Sequence, residues 1–359
     1  LMKYISNCVQ IEWFDIKLRI CNFKQMKNGI KFIVKALLFL CTLLILIVIV
    51  KFSFIGKNID VEKCKTYLLP SAKKNNVRLT FLGTSCFIIN YEGKQFISDA
   101  FFSNPSLIST ALGNMKQQSI KSYLNDSLYK HVSMTTISHG HYDHCFDLNQ
   151  ILQPQTTVIA DQSTIFQLEQ ELKNNTSKIA LKNTEKQNWI YSADSIFRVF
   201  PILCKHNPHF GKTILFNGIY KQALDKIPNY LWQWKLGHSN YSFLIDVLKN
   251  DSTIFRMALL SGTIDDVDYK KIDSICSVRT CDILSSTFWN KKLNAQSLKK
   301  SLSSTKAHIL LLNHWNNFFR SNDKSIQQFR TSKLEKELKE FKEEGIPAYI
   351  MLPFTSVDL

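Results

Sequence analysis

The stretch "ISHGHYDHCFD", residues 137–147, contains three histidines and two aspartates within eleven residues. It continues a short β-rich run, "MTTIS", which predicts a strand that ends just before the first histidine. Imidazoles and carboxylates gathered at a strand end suit zinc, with iron or manganese as alternatives. We therefore expect His139 and His141 to converge on one metal ion, and Asp143 and His144 to face a second.

Strand-like and helix-like segments alternate on both sides of this stretch. The runs "VRLTFLG" and "CFIINYEGKQFISD" precede it, and "SIFRVFPILC", "YSFLIDVL", "TIFRMALLS", "CDILSS", "HILLLN" and "AYIML" follow it. Helical patterns are centred on residues 163–172, 267–275, 295–302 and 326–341. Strands interleaved with helices predict one layered α/β domain from about Val77 to Leu359.

The histidine-rich stretch resembles the signature of the metallo-β-lactamase superfamily, and "HYDHCFDLNQI" is most similar to the branch of N-acyl phosphatidylethanolamine phospholipase D and ascorbate-lactonase-type hydrolases. The resemblance extends over most of residues 77–359. "RLTFLGTSCFIINYEGKQFISDAFFS" resembles the opening hairpin of that branch, "FPILCKHNPHF" its third-histidine strand, and "LLNHWNNFF" its final His-Trp motif. The resemblance implies a four-layer αββα sandwich with a two-metal site along one edge of the sheets.

The resemblance also implies a role for each residue that matches the motif. The first metal would be bound by His139, His141 and His206, and the second by Asp143, His144 and His314. Asp99 would hold a ligand histidine in its metal-binding tautomer, or else cap a turn. His209 is an alternative to His206 because both follow the same predicted strand, whereas His238 is expected in a loop or beside the substrate.

One residue of the family pattern is missing. The family places a metal-bridging aspartate at the end of a strand, where this sequence has Ser261. A neutral hydroxyl cannot supply the charge that holds two dications together, so the second metal should bind weakly. Asp265 or Asp266 could replace the aspartate from the following loop. Alternatively, the protein works with one metal ion or is a metal- or ligand-binding protein that has lost activity.

Hydrolysis is the chemistry that such a site favours. A zinc ion can generate hydroxide from water at neutral pH and polarise the bond to be cut, and the resemblance implies that Asp143 orients the nucleophile and relays a proton. The expected substrates are phosphodiesters, lipid-like esters and lactones. The loops at 100–130 and 220–240, where specificity should lie, contain no recognisable motif.

The charge distribution bears on the partners of the protein. The whole chain has 45 Lys and Arg against 29 Asp and Glu, a net charge of +16. Residues 1–75 contain 13 of the basic and 4 of the acidic residues, so the remaining 284 residues carry only +7. This mild excess, without an added nucleic-acid module, counts against a nuclease of the same superfamily and against nucleic acid as a partner.

An apolar run explains the basic N-terminal region. Residues 36–50 contain no charged side chain, and the run extends to about twenty residues at 36–55 if Lys51 snorkels, which is the length of a membrane-spanning helix. No small-residue cleavage site follows, so we expect an uncleaved single-pass anchor rather than a signal peptide. Basic residues are denser before the span, which favours an extracytoplasmic domain. The segment before Met26 is either an over-extended reading frame or a basic cytoplasmic tail.

These patterns divide the chain into a tail and membrane anchor at 1–57, a Lys- and Asn-rich tether at 58–76, and the hydrolase-like domain at 77–359. The nine cysteines are scattered without a CxxC pair, which indicates neither a zinc ribbon nor a disulfide framework. Nothing in the sequence indicates an oligomeric state.

Overall fold

The computed structural model describes residues 26–48, 56–72, 75–174, 177–182, 187–209, 211–287, 291–329 and 333–359. The chain divides into two compact units at residues 54 and 55. In the first unit, helix α1 spans Met26–Val48, with a mean hydropathy of 2.6 in its most apolar window. It is long and apolar enough to cross a membrane or to act as a signal sequence. The expected tail at 1–25 and the last seven residues of the expected span lie outside the described residues.

The second unit contains the remaining elements. Its helices are α2 (Val61–Cys64), α3 (Leu107–Ala111), α4 (Tyr142–Cys145), α5 (Gln162–Gln167), α6 (Glu169–Leu172), α7 (Asp266–Val278), α8 (Lys291–Thr305) and α9 (Leu334–Glu343). Short 3-10 turns lie at Lys65–Tyr67, Ile120–Ser122, Asp126–Leu128, Leu148–Gln150 and Leu231–Gln233.

The strands fall into one short pair and two large sheets. Their bounds are β1 (Gly56–Asn58), β2 (Arg78–Gly83), β3 (Cys86–Tyr91), β4 (Lys94–Ser98), β5 (Val132–Thr136), β6 (Thr157–Asp161), β7 (Lys178–Leu181), β8 (Ile190–Tyr191), β9 (Phe197–Cys204), β10 (Asn240–Lys249), β11 (Ser252–Leu260), β12 (Ile283–Thr287), β13 (Ile309–Asn313), β14 (Gln327–Phe329), β15 (Ala348–Tyr349) and β16 (Thr355–Asp358).

Each large sheet has seven strands. The N-terminal sheet has the order β16-β2-β3-β4-β5-β6-β7, and the C-terminal sheet has the order β15-β13-β12-β11-β10-β9-β8. Strands β4 to β7 are parallel neighbours, as are β11, β12, β13 and β15. The carboxyl ends of parallel strands collect functional side chains at one edge of a sheet.

The two sheets pack face to face through an apolar core. Phe96 of the N-terminal sheet contacts Phe197 of the C-terminal sheet with ring centroids 6.1 Å apart, and Phe81, Phe243 and Met257 are buried in the same cluster. Helices α4 to α6 cover the outer face of the N-terminal sheet through a second apolar cluster. Helices α8 and α9 pack against β12 and β15. The predicted four-layer αββα sandwich is thus confirmed.

The structure differs from the sequence-based expectation in two places. Residues 326–341 were expected to form one helix, but β14 precedes α9 there, because Gln327–Phe329 pairs with β1. That pairing also affects the expected tether at 58–76. Cys64 and Leu69 are buried in the main core, and the amide of Leu69 donates to the carbonyl of Ile350. The described part of this segment is therefore packed on the domain.

Candidate metal centre

The histidine-rich stretch forms the loop after β5 and the single turn of α4. His141 occupies the N-cap position of α4 without a side-chain capping hydrogen bond, and the helix itself contains Asp143 and His144. Gly140 is held on both sides, since its amide donates to the Leu236 carbonyl at 2.9 Å and its carbonyl accepts from Gln167 Nε2 at 2.6 Å. These backbone contacts fix the direction in which the flanking histidines point.

The other site residues follow strand ends at the same edge of the sandwich. Asp99 follows β4, His206 comes two residues after β9, and His314 follows β13. The amide of Tyr241, at the start of β10, donates to the carbonyl of Ser138 at 2.9 Å and joins the two sheets at this edge. Residues far apart in sequence meet here because each lies where a strand leaves its sheet.

Two groups of three side chains lie close enough to bind a metal ion. The first contains His139, His141 and His206, and within it one ligand atom from each residue lies within 4.8 Å of the others. His139 Nε2 and His141 Nδ1 are 3.1 Å apart. Two nitrogens that bind one tetrahedral zinc ion at about 2.0–2.1 Å lie roughly 3.3 Å from each other, so the spacing fits.

The tautomer of His206 also fits metal binding. Its Nδ1 lies 2.6 Å from the backbone carbonyl of Asn207 and therefore carries the proton, which leaves Nε2 as a lone-pair donor. His141 Nε2 is buried, and no hydrogen-bond partner for it exists among the described residues. One ring nitrogen of this group is thus not satisfied by the described part of the protein.

The second group contains Asp143, His144 and His314, again with ligand atoms within 4.8 Å of one another. Asp143 Oδ2 lies 3.7 Å from His144 Nε2 and 3.3 Å from His314 Nε2. His144 Nδ1 lies 2.9 Å from Asp99 Oδ2. This carboxylate keeps the proton on Nδ1, so that Nε2 faces the second site with a lone pair.

Asp99 itself is held rigidly. It is 1% exposed, and its two oxygens accept from the amide of Ser138 at 2.7 Å and the hydroxyl of Ser138 at 3.0 Å. Asp99 and His314 both have left-handed backbones, with φ of +42° and +57°. Such conformations are uncommon for residues other than glycine and concentrate at functional sites. The fold therefore places these two side chains at the cost of local backbone strain.

The electrostatics favour neutral imidazoles in the first group, whereas in the second group burial is outweighed by Asp99 and Asp143, which raise the pKa of His144. Burial, assisted by the neighbouring imidazoles, lowers the pKa of His139 and His141 well below the usual value and that of His206 to about 3. These rings are neutral at pH 7, as metal binding requires. Burial would raise the pKa of Asp143, but His144 and His314 outweigh it and lower that pKa, so this carboxylate is ionised.

The two remaining candidate histidines lie outside both groups. His209 stacks on His206 with ring centroids 4.9 Å apart, but its Nδ1 accepts from the amide of Leu215 at 3.1 Å. His209 Nε2 therefore carries a proton, which makes it a hydrogen-bond donor in this tautomer. His238 lies beside Asp161, with Nδ1 3.4 Å from Oδ1. It is an exposed loop residue, as its sequence context predicts.

Ser261 follows β11 at the same edge. Two residues later, Thr263 pairs with Lys205, the residue before His206. The Ser261 hydroxyl is buried, with no hydrogen-bond partner among the described residues. The two alternative candidates for a bridging carboxylate form ion pairs with lysines instead. Asp265 pairs with Lys205 at 3.0 Å, and Asp266 pairs with Lys300.

Sequence reasoning missed three residues that position the centre. Ser138 links Asp99 to the metal loop, and its hydroxyl also lies 3.1 Å from His139 Nδ1. Gly140 leaves no space for a side chain, since an added Cβ would lie 2.3 Å from the carbonyl oxygen of Lys235. Gln167, at the end of α5, donates a hydrogen bond from Nε2 to the carbonyl of that glycine. Only the glycine could have been noticed in the sequence, as the small residue between two ligands.

Comparison with known proteins gives fold similarity only. No family model matches the sequence, and no curated protein matches it. The solved structures that resemble it include Igni18, a metallo hydrolase from Ignicoccus hospitalis, at 14% identity, 78% and 97% coverage of the two chains and a TM-score of 0.47. Another is an isothiocyanate hydrolase from Delia radicum gut bacteria, at 13% identity, with 79% of this chain and 99% of that chain covered and a TM-score of 0.47.

A third similar structure is CmlA, a diiron β-hydroxylase from Streptomyces venezuelae, at 10% identity, with 79% of this chain and 54% of that chain covered and a TM-score of 0.46. By their descriptions, two of these proteins are hydrolases and the third is a hydroxylase. Similarities this weak do not assign an activity or a metal to the present chain.

Proposed function

We propose that this protein is a metal-dependent hydrolase whose substrate is a phosphodiester, a lipid-like ester or a lactone. The observation that carries the proposal is the pair of adjacent ligand groups at one edge of the sandwich. Neutral buried imidazoles and one ionised carboxylate suit zinc, and also iron or manganese. When bound, the metal would lower the pKa of water and polarise the oxygen of the scissile bond.

The protein's own side chains would orient the ligands and transfer the proton. Asp99 and the carbonyl of Asn207 hold His144 and His206 in the tautomers that leave Nε2 available. Asp143 is ionised and lies within 3.3 Å of His314 Nε2. An ionised carboxylate in this position can accept a hydrogen bond from the attacking water and pass its proton to the leaving group. We assign Asp143 this role in addition to ligation.

The number of metal ions depends on Ser261. We expect Ser261→Asp to raise the zinc stoichiometry from about one toward about two per chain, because a bridging carboxylate offsets the repulsion between two dications and paired metals stabilise both attacking and leaving oxygens. Turnover of a chromogenic phosphodiester should rise with it. Calorimetric titration of metal-free full-length protein with zinc, beside the hydrolysis assay, measures both effects.

The matched control is Ser261→Asn, which adds nearly the same volume without the charge and should leave the stoichiometry unchanged. If the wild type already binds two zinc ions tightly and the aspartate variant binds them less well, another group bridges the metals and the assignment of Ser261 is wrong.

The neutral side chain of Ser261, where a bridging carboxylate is expected, also supports a second candidate function, a metal- or ligand-binding protein of the same fold without catalysis. The two candidates differ in one respect that can be measured. A binder would hold zinc and show no turnover of a phosphodiester, an ester or a lactone, whereas a hydrolase would cleave at least one of them.

For localisation, we propose that α1 is a single-pass membrane anchor with the domain on the extracytoplasmic side. Its length and apolar composition support this role. We expect the full-length protein to sediment with membranes and to resist extraction with concentrated salt, because a span of about twenty apolar residues inserts far more strongly than a basic surface adheres. Recovery of the chain at its original size in the soluble fraction would contradict the anchor.

A further inference from the structure

An exposed apolar surface lies on two loops that contact each other, at residues 105–124 and 211–238. It consists of Ile108 and Leu112 at α3, and Tyr230 and Trp232 near the 3-10 turn, and we call it the aromatic patch. These side chains are 44%, 70%, 37% and 50% exposed. By contrast, Trp234, two residues further along, is fully buried. Trp232 is therefore directed outward by the same turn that buries its neighbour.

The two loops form one continuous surface. A Cβ added to Gly113, next to Leu112, would lie 2.5 Å from the ring of Tyr230, so the two loops are in contact. Tyr230 stacks on Trp232 with centroids 4.7 Å apart and ring planes 24° apart. Clustered apolar side chains of this kind on a protein surface mark an interaction site, whereas single exposed ones do not.

The same loops account for most of the net positive charge of the domain. Residues 105–124 and 211–238 contain six lysines and one aspartate, a net charge of +5, out of +7 for all of residues 76–359. The lysines are at positions 116, 121, 212, 221, 226 and 235. All but the last are exposed. Net positive charge is thus concentrated on the two loops that carry the aromatic patch, and charge is nearly balanced in the rest of the domain.

This combination fits one kind of partner better than others. Lysine is depleted at protein–protein interfaces, but lysines around exposed Trp, Tyr and Leu are typical of surfaces that bind anionic bilayers. Tryptophan and tyrosine rings settle at the level of the lipid headgroups, where one end is apolar and the other is wet. Both the positive charge and the exposed apolar side chains favour an anionic bilayer as the partner.

The second loop also borders the candidate metal centre. It begins just after His209, its Phe216 ring lies 6.5 Å from the ring of His141, and its Leu236 carbonyl accepts from the amide of Gly140. A surface bound through this loop would therefore lie beside the metal-binding residues.

We propose that the aromatic patch docks on an anionic lipid bilayer and thereby holds the metal centre next to the membrane surface. The interaction does not depend on hydrolytic activity, so it can be tested separately from the proposed function. Residues 105–124 and 211–238 would act as one interfacial surface, with the rings among the headgroups and the lysines against the lipid phosphates.

The test uses full-length protein reconstituted into vesicles of phosphatidylcholine and phosphatidylglycerol whose acyl chains carry bromine, which quenches tryptophan on contact. We expect quenching in these vesicles, and a clear loss of it in Trp232→Phe. Subtraction of the two signals isolates Trp232 from the other tryptophans. An unchanged thermal unfolding midpoint shows that the variant is folded.

A charge variant tests the same surface with every tryptophan in place. Lys221→Gln combined with Lys226→Gln should reduce the quenching of Trp232, whereas Lys336→Gln with Lys339→Gln, on exposed positions of α9, changes the charge equally and should not. Absence of Trp232 quenching overturns the proposal, as does equal quenching in vesicles of phosphatidylcholine alone. A Trp232 signal that depends on protein concentration rather than on lipid would indicate a second copy of the chain and also overturn it.

Discussion

His206→Gln should reduce zinc affinity by at least about 100-fold, since loss of a ligand exceeds the 10- to 100-fold effect of losing a residue that only orients one. His206 is one of three imidazoles in the first ligand group. The variant should lose hydrolytic activity together with the metal. Zinc affinity is measured by competition with a chromophoric chelator, with full-length protein in detergent.

The matched control is His209→Gln, three residues away on the same loop. His209 stacks on His206, but its Nδ1 already accepts the amide of Leu215, so it should contribute little to metal binding. We expect this variant to keep zinc affinity within about threefold of the wild type, well inside the loss expected for a ligand. If His209→Gln loses the metal and His206→Gln keeps it, the ligand assignment is reversed.

Gly140→Ala should destabilise the fold and the metal centre together. The added Cβ would lie 2.3 Å from the backbone oxygen of Lys235 and 3.0 Å from Thr164 Oγ1, and backbone cannot move aside as a flexible side chain can. Overpacking of this kind costs about 1–3 kcal/mol. Because the glycine lies between two ligands, we also expect zinc affinity to fall by about 10-fold or more. Thermal unfolding and zinc titration measure the two effects.

Gly93→Ala is the control that separates a loss of stability from a loss of zinc affinity. Gly93 lies in the β3–β4 hairpin with φ of +75°, and an added Cβ would meet nothing within 4 Å. A left-handed backbone makes the substitution unfavourable by about 1 kcal/mol, but zinc affinity should not change. Equal effects of the two substitutions on zinc affinity would show that Gly140 matters only for general stability.

The strands and the first metal loop were predictable because their signals are local. Short runs rich in apolar and β-branched residues mark β9, β10 and β11, and the spacing of His139 to His144 marks a loop after a strand. The prediction failed where long-range pairing decides the structure. The segment at 326–341 has a helical pattern, yet its first residues pair with β1, which lies some 270 positions earlier in the chain.

In the candidate site, too, only the residues with a local sequence signal could be predicted directly. His206 and His314 could be named only through a family resemblance, since no local pattern connects them with residues 139–144. The choice between His206 and His209 needed the hydrogen bonds of both rings. The roles of Ser138 and Gln167 could not be read from the sequence at all, because each depends on which backbone groups the fold brings within reach.

The central claim is that the two ligand groups bind transition-metal ions, and its most direct test is the metal content of the full-length protein, purified without chelators and analysed by elemental mass spectrometry. We expect roughly one to two equivalents of zinc, iron or manganese per chain, which His139→Ala should reduce strongly. Less than about a tenth of an equivalent of any transition metal in the wild type, after incubation with zinc and removal of the excess, would contradict the claim.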